Sequence, residues 1–249
     1  MPKPALDLPE LDPAWILFQG SGILVLDKPA GLPVHRGTSH DLGLIDLVEE
    51  WARSHPGQIQ IRAGKPVRPA HRLDREASGV LLLGLTKQAA RALQAALAAH
   101  EVRKRYVAVV AGPVDALDHL RGTVRSRLRG SYRHLPAELS FRRLAGDERL
   151  SLVEVEPIGG RTHQIRALFA AAGRPLAGDL RYGKPKPSRQ FLEKFALEHF
   201  LLHSWEVTLP ASVLGGERTF VAPLPAAFVG LVEKKGWKVP ETAGGRRSS

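Results

Sequence analysis

An α+β fold is what this sequence predicts: a single domain around a mixed, largely antiparallel sheet with flanking helices. Three observations predict it. Apolar runs of strand length alternate with helical patterns irregularly, not as repeated strand–helix units. Several neighbouring strand candidates lie close enough in the chain to pair antiparallel. No GxGxxG or Walker loop occurs, so the dinucleotide-binding and P-loop folds lack their phosphate cradle.

The elements follow in order. Residues 1–15 read as a loose leader, with prolines at 2, 4, 9 and 13 and no apolar run, which does not fit a signal peptide. The domain is expected over 16–238. Ile23–Leu26 is a short apolar strand, and Asp27-Lys28-Pro29-Ala30-Gly31 is a turn. Over 43–54, Leu44, Leu47, Val48 and Trp51 recur at helical spacing. Residues 55–70 form a Gly/Pro/basic loop. Val80–Leu85 reads as a buried strand, and Thr86 can cap a helix over 87–101 with Leu93 and Leu97 on one face.

Arg105–Ala111 is the next strand, stopped by Gly112-Pro113. Residues 113–135 read as a polar loop holding Arg121, Arg125, Arg127, Arg129 and Arg133, with Tyr132 among them. Leu150–Ile158 alternates as a strand does. Gly159-Gly160 turns the chain, and Thr162 can cap a helix to Ala172, with Gly173 as its stop. Residues 183–190 read as a basic loop, Leu201–Leu209 as a strand, 225–235 as a helix and 239–249 as a disordered tail.

Composition narrows the function. Of 249 residues, 43% are apolar and 24% charged, which is enough to build a core unaided. The absence of cysteine excludes disulfides, thiolate metal sites and a thiol nucleophile, and it fits a reducing compartment. No stretch approaches the ~20 apolar residues of a membrane helix. A soluble, cytoplasmic protein without a membrane partner is expected, acting as a monomer. Thirty-six basic against 25 acidic side chains leave a net charge of +11, which favours an acidic partner such as nucleic acid.

Three clusters carry chemistry. In HRLDREASGVLLLGL, residues 71–85, five ionisable side chains stand directly before a buried strand. Asp74 there is costly unless paired, and Arg72 or Arg75 can keep it ionised. A salt bridge at the strand's start explains this as well as a reactive carboxylate does. In GGRTHQIRALF, 159–169, the stripe Ile165, Leu168, Phe169 faces the core, and His163 and Arg166 share a rim off that stripe. With Arg161 they surround a helix start, which suits an anion. A capped amphipathic helix with a solvated basic face explains Ile165 and Thr162 well, but the second His/Arg pair less well. In Lys104–Val109, alternation sets Tyr106 on one strand face with Ala108 and Val110, either as core or as a phenol on the floor of a cleft.

These motifs are similar to those of a known family. HRLDREASG, GRTHQIR, KRYVAVVAG, ILVLDKPAGLPVH (23–35), GDLRYG (178–183) and LLHS (201–204), in that order, resemble the RluA-type pseudouridine synthases over about residues 20–210. Ala77 stands where the family commonly has threonine, and Asp27 where it has asparagine. The resemblance implies a catalytic domain with a central RNA-binding cleft. It implies cofactor-free isomerisation of uridine to pseudouridine in ribosomal or transfer RNA. It implies Asp74 as nucleophile, Arg166 as the ion-pair partner keeping Asp74 charged, Tyr106 moving the C5 proton, and Arg72 filling the stack left by a flipped base. His71, Arg161 and His163, with Arg125, Arg127, Arg129 and Tyr132, are expected to bind RNA.

A metal site from His71, His163, His203 and Asp74 is not expected, because the spacing is irregular, and His203 reads as a core histidine. Two rival readings stand beside the main one. A non-catalytic RNA-binding or ribosome-assembly factor would use the basic loops alone. A glycoside hydrolase would need two facing carboxylates, and only Glu76 accompanies Asp74.

Overall fold

The structure is a computed structural model that describes residues 10–36, 42–59, 66–115, 117–128 and 131–238, with the backbone alone at 127 and 128. Arg129 and the tail from 239 lie outside the described residues, as does part of the 55–70 loop. In chain order the elements are β1 (Ile16–Gly20), β2 (Ile23–Lys28), α1 (Leu44–Ser54), β3 (Arg68–Pro69), β4 (Ser78–Gly84), α2 (Lys87–Ala98), β5 (Arg103–Ala111), β6 (His119–Leu128), β7 (Ser131–Gly146), β8 (Leu150–Ile158), α3 (Gln164–Ala171), α4 (Pro185–Phe195), β9 (Leu202–Leu209), α5 (Ala211–Leu214), β10 (Arg218–Val221) and α6 (Ala226–Lys234). This is the α+β class the sequence predicts. The chain forms two compact units. One holds the described residues to Arg103 together with Thr208–Ala222, and the other holds Lys104–Val207 and the described residues from Pro223.

In the first unit β1, β2 and β4 pair antiparallel, and β3 adds to β4. All seven residues of β4 are buried, as its apolar run requires. Helix α2 lies on β4. Its start is fixed by Thr86, whose hydroxyl accepts the Ala89 N–H at 3.1 Å. Gly84 permits the close approach, since a Cβ there would meet the Ala90 backbone at 2.6 Å. Ala89, Ala90, Leu93 and Ala96 form the buried face, and Leu97 is only half-buried. Ahead of β1, Leu11 is buried and Asp12 caps a 3-10 turn over Pro13–Trp15.

In the second unit β5, β8, β7 and β6 form an antiparallel succession. The region read as a polar loop is a long hairpin. Leu120, Val124, Ala137 and Leu139 alternate with the charged residues and are buried, and α3 packs on β6 and β7. Phe169 of α3 is fully buried edge-on to Phe141, with ring centroids 4.9 Å apart. The 183–190 segment is also not a loop. It enters α4, with Pro185 at the first helical position, where no N–H is needed.

Arg105 ties strands together. It bonds Glu154 of β8 at 3.1 Å and Glu206 of β9 at 3.2 Å, and its guanidinium stands 5.1 Å from the Trp205 ring centroid. Arg142 of β7 closes on Glu154 through two bonds, at 3.2 and 2.9 Å. Burial pushes the Glu154 carboxyl up, but the two guanidiniums outweigh it and hold it below the usual range.

Candidate active site

The predicted site residues fall in both units. In the first, Asp74 stands on the loop 71–77 that feeds β4. Lys28, at 0% exposure, reaches across from the end of β2. Its ammonium donates to the carbonyls of Pro29 at 2.7 Å, Leu32 at 2.7 Å and Arg75 at 3.1 Å. Arg75 returns the grip. Its Nε donates to Gly31 O, and its own carbonyl accepts Gly31 N–H, both at 2.8 Å. The Ala77 N–H closes a turn on Asp74 O at 3.2 Å. Gly79 then takes φ +104°, opposite Lys28 in register, a conformation few side chains tolerate. So the backbone on both sides of Asp74 is pinned, while the residue itself is half-buried.

The same contacts set the charges. Burial pulls Lys28 down to about 7, and the nearby Glu76, Asp74 and Asp27 carboxylates oppose that. Burial raises Asp27 to about 6 against the pull of Lys28. His71 accepts the Leu82 N–H on Nε2 at 3.1 Å, which fixes the loop to β4. Arg72 is exposed.

In the second unit Tyr106 lies on β5 opposite Val155, and is 8% exposed. Two residues earlier on the same strand face, Lys104 donates to Gly159 O in the turn before α3, and burial pulls it to about 8. The helix does not start on Thr162. His163 takes the left-handed conformation, φ 55°, and α3 begins at Gln164. Gln164, the first helical residue, bonds back to the chain before it. Its Oε1 accepts Arg161 N–H at 2.8 Å, and its Nε2 donates to Glu138 O at 2.8 Å and Ile158 O at 3.0 Å. The amide thus ties the turn before α3 to the end of β8 and to β7, while no side chain caps the helix start itself. His163 is within 3.1 Å of the Tyr182 hydroxyl through Nδ1.

Arg166 is not on a rim. It is 5% exposed and makes a two-point pair with Asp179, Nε to Oδ2 at 2.7 Å and Nη2 to Oδ1 at 3.0 Å. Its guanidinium stands 4.4 Å from the Phe200 ring centroid and 5.2 Å from that of Tyr182. Asp179 is itself held by the N–H groups of Arg181 at 2.9 Å and Tyr182 at 3.0 Å. Burial raises the Asp179 carboxyl, yet Arg166 and these N–H groups outweigh it and keep it low. Asp179 and Tyr182, which contact Arg166 and His163, and Lys28, which holds the loop of Asp74, are not named from the sequence. Their signal lies in GDLRYG and DKPAG, which read only as motif text and a turn.

On the hairpin, Arg125 stands 4.1 Å over the Tyr132 ring, and Tyr132 is 61% exposed. Arg121 is engaged by Glu138 through bonds of 3.1 and 2.9 Å. Arg127 pairs opposite Tyr132 by backbone register. His203 is buried, edge-on to Phe228.

Residues 22–171 match the family model of RNA pseudouridylate synthases. The chain belongs to this family, in its RluA-type branch. The match spans the HRLD loop, the Tyr106 strand and GRTHQIR, and the chain is thereby an RNA pseudouridine synthase, an enzyme that isomerises uridine in RNA. It is 33% identical over 242 residues to tRNA pseudouridine synthase C of Salmonella typhi, covering 90% of each. It is 30% identical over 222 residues to ribosomal large subunit pseudouridine synthase C of Buchnera aphidicola, covering 86% of this chain and 68% of that one. The fold is similar to that of human RNA Pseudouridylate Synthase Domain Containing 4, with TM-score 0.73 and 26% identity over 92% of this chain and 95% of that one.

Proposed function

We propose that this synthase acts with Asp74 as nucleophile on a uridine flipped out of structured RNA, as a monomer in the cytoplasm and without cofactor. Asp74 assists cleavage of the N1–C1′ bond. The uracil turns, C5 bonds to C1′, and the C5 proton leaves through Tyr106 as N1 gains one. Nothing is oxidised or reduced. Arg166 keeps the nucleophile charged. Arg72 stacks where the base stood, recovering part of the few kcal/mol that flipping costs. His71, Arg161 and His163 hold the RNA beside the target, and Arg125, Arg127, Arg129 and Tyr132 grip it farther out. The observation that carries this reading is the HRLD loop itself, whose carboxylate rides on a backbone pinned by buried Lys28.

Transfer RNA is the favoured substrate, because the Salmonella typhi relative named for it matches over 90% of both chains. Ribosomal RNA is the second reading, supported by the Buchnera relative. The test is pseudouridine mapping across total RNA, comparing cells with the native protein, without it, and with Asp74→Asn. A site present only with the native protein identifies the target. A site retained with Asp74→Asn removes the nucleophile role.

A further inference from the structure

We propose that a cavity at the far end of β5 binds a nucleotide of the substrate RNA other than the target uridine. This rests on the reading above and adds a second RNA contact to it. The cavity is about 550 Å³, within the range of small-molecule sites. Its wall is apolar: Leu150, Pro175, Leu176 and the α4 rings Phe191 and Phe195, whose centroids are 5.1 Å apart. Its rim carries Arg149, Lys184, Lys194 and Lys235, and none of the described residues lining it is acidic. Lys235 is engaged by Asp147. Arg149, Lys184 and Lys194 have no carboxylate partner among the described residues. Aromatic rings ringed by cations are what an unpaired base with its flanking phosphates requires.

The site is separate from the one that holds Tyr106. Ala111 lines the cavity five residues beyond Tyr106 on β5, roughly 17 Å at ~3.3 Å per residue. It is nevertheless wired to the catalytic half. Ser188 lines the cavity and donates through Oγ to the Asp179 carbonyl at 3.0 Å, and Asp179 holds Arg166. The cations come from separate elements and form no single phosphate cradle. That distribution fits a strand of RNA with spaced phosphates better than a free mononucleotide.

The test pairs Lys184→Glu/Lys194→Glu with Phe191→Ala, all at positions exposed or half-buried. On the RNA that mapping identifies, the double variant should raise KM about tenfold with kcat within about twofold. Its slope of log K against log salt for a 4-thiouridine-labelled hexauridine should fall by about 1.4, at ~0.7 per phosphate contact. Phe191→Ala should weaken hexauridine by roughly fivefold or more, the least a stacked base contributes. Irradiation should cross-link hexauridine to the α4 peptide in the native protein and not in Phe191→Ala. Unchanged KM and slope, or no cross-link in α4, would overturn the proposal. Displacement of hexauridine by polyglutamate at equal charge concentration would overturn it too, by assigning the groove to an acidic peptide. A native protein that makes no pseudouridine in any RNA would defeat the functional reading alone, since the cross-link and salt slope do not depend on turnover.

Discussion

Asp74 and Lys28 divide one task, since the first supplies a carboxylate and the second fixes where it stands. Lys28→Met keeps the aliphatic stem but leaves the Pro29 and Leu32 carbonyls without their donor, while the Arg75 carbonyl keeps the Gly31 N–H. Each unmet buried group costs ~1–3 kcal/mol, partly offset because a buried ammonium is no longer desolvated, so a loss of about 3 kcal/mol is expected in urea unfolding. The pH dependence follows from the depressed pKa. Between about 7 and 10.5 the unfolded chain binds a proton at Lys28 that the folded chain does not, so folding stability gains with rising pH over that window. The native protein should gain stability from pH 7 to 9.5 relative to Lys28→Met; a parallel response of the two would assign the shift to other groups. Asp179→Asn tests the other half. Breaking one partner of a buried pair costs ~3–5 kcal/mol. Because Asp179 touches no proposed reacting atom, its role is to position Arg166, and a structural role alone would leave the pH profile of kcat in place. If Arg166 keeps Asp74 charged, Asp179→Asn should move the acidic limb of that profile upward. Tyr106→Phe removes a hydroxyl and nothing else, and a rate lower by ~10²–10⁴ is expected in single-turnover pseudouridine formation if the phenol moves the C5 proton.

At the scale of elements, legibility followed how each segment meets the core. β4, β5 and β8 were readable because continuous or alternating apolar residues leave no other solution, and α2 because Thr86 marks its start. The β6–β7 hairpin was hidden by its arginines. Its buried positions, Leu120, Val124, Leu139 and Phe141, do alternate with polar ones, but five arginines within thirteen residues read as loop composition. α4 was hidden by Pro185 and Pro187, although the first turn of a helix accepts proline. In the candidate site, the residues for which a direct chemical role is proposed were easy to name. Asp179, Lys28 and Gln164 were not, because they act on backbone or on another charge, and neither leaves a spacing pattern. The hairpin's polar face carries its own expectation. Arg125, Arg127 and Arg129 replaced by Ala should flatten the salt slope of RNA binding by about two units, if all three touch phosphate at ~0.7 each. A slope equal to that of the native protein would make the hairpin a solvated surface.

At the scale of the whole molecule, charge and chemistry are separable. The +11 charge is spread over 36 basic side chains, whereas turnover is proposed to need one carboxylate. Counterion release from phosphates supplies much of the affinity of a basic protein for RNA, whatever the sequence bound. Asp74→Asn therefore changes the net charge only from +11 to +12 and leaves that term almost intact. The loop backbone is held by Lys28, Gly31 and Arg75 through main-chain, guanidinium and ammonium bonds that asparagine does not disturb. The variant should fold, bind substrate RNA within about twofold of native affinity with the same salt slope, and form no pseudouridine. Added in excess to the native enzyme, it should then inhibit by occupying RNA, with an inhibition constant equal to its own Kd in filter binding. A non-catalytic RNA-binding protein would show the first two properties in both forms and no product in either. A variant that loses RNA binding along with turnover would mean that Asp74 organises the binding surface, and the division between a basic scaffold and one reactive carboxylate would fail.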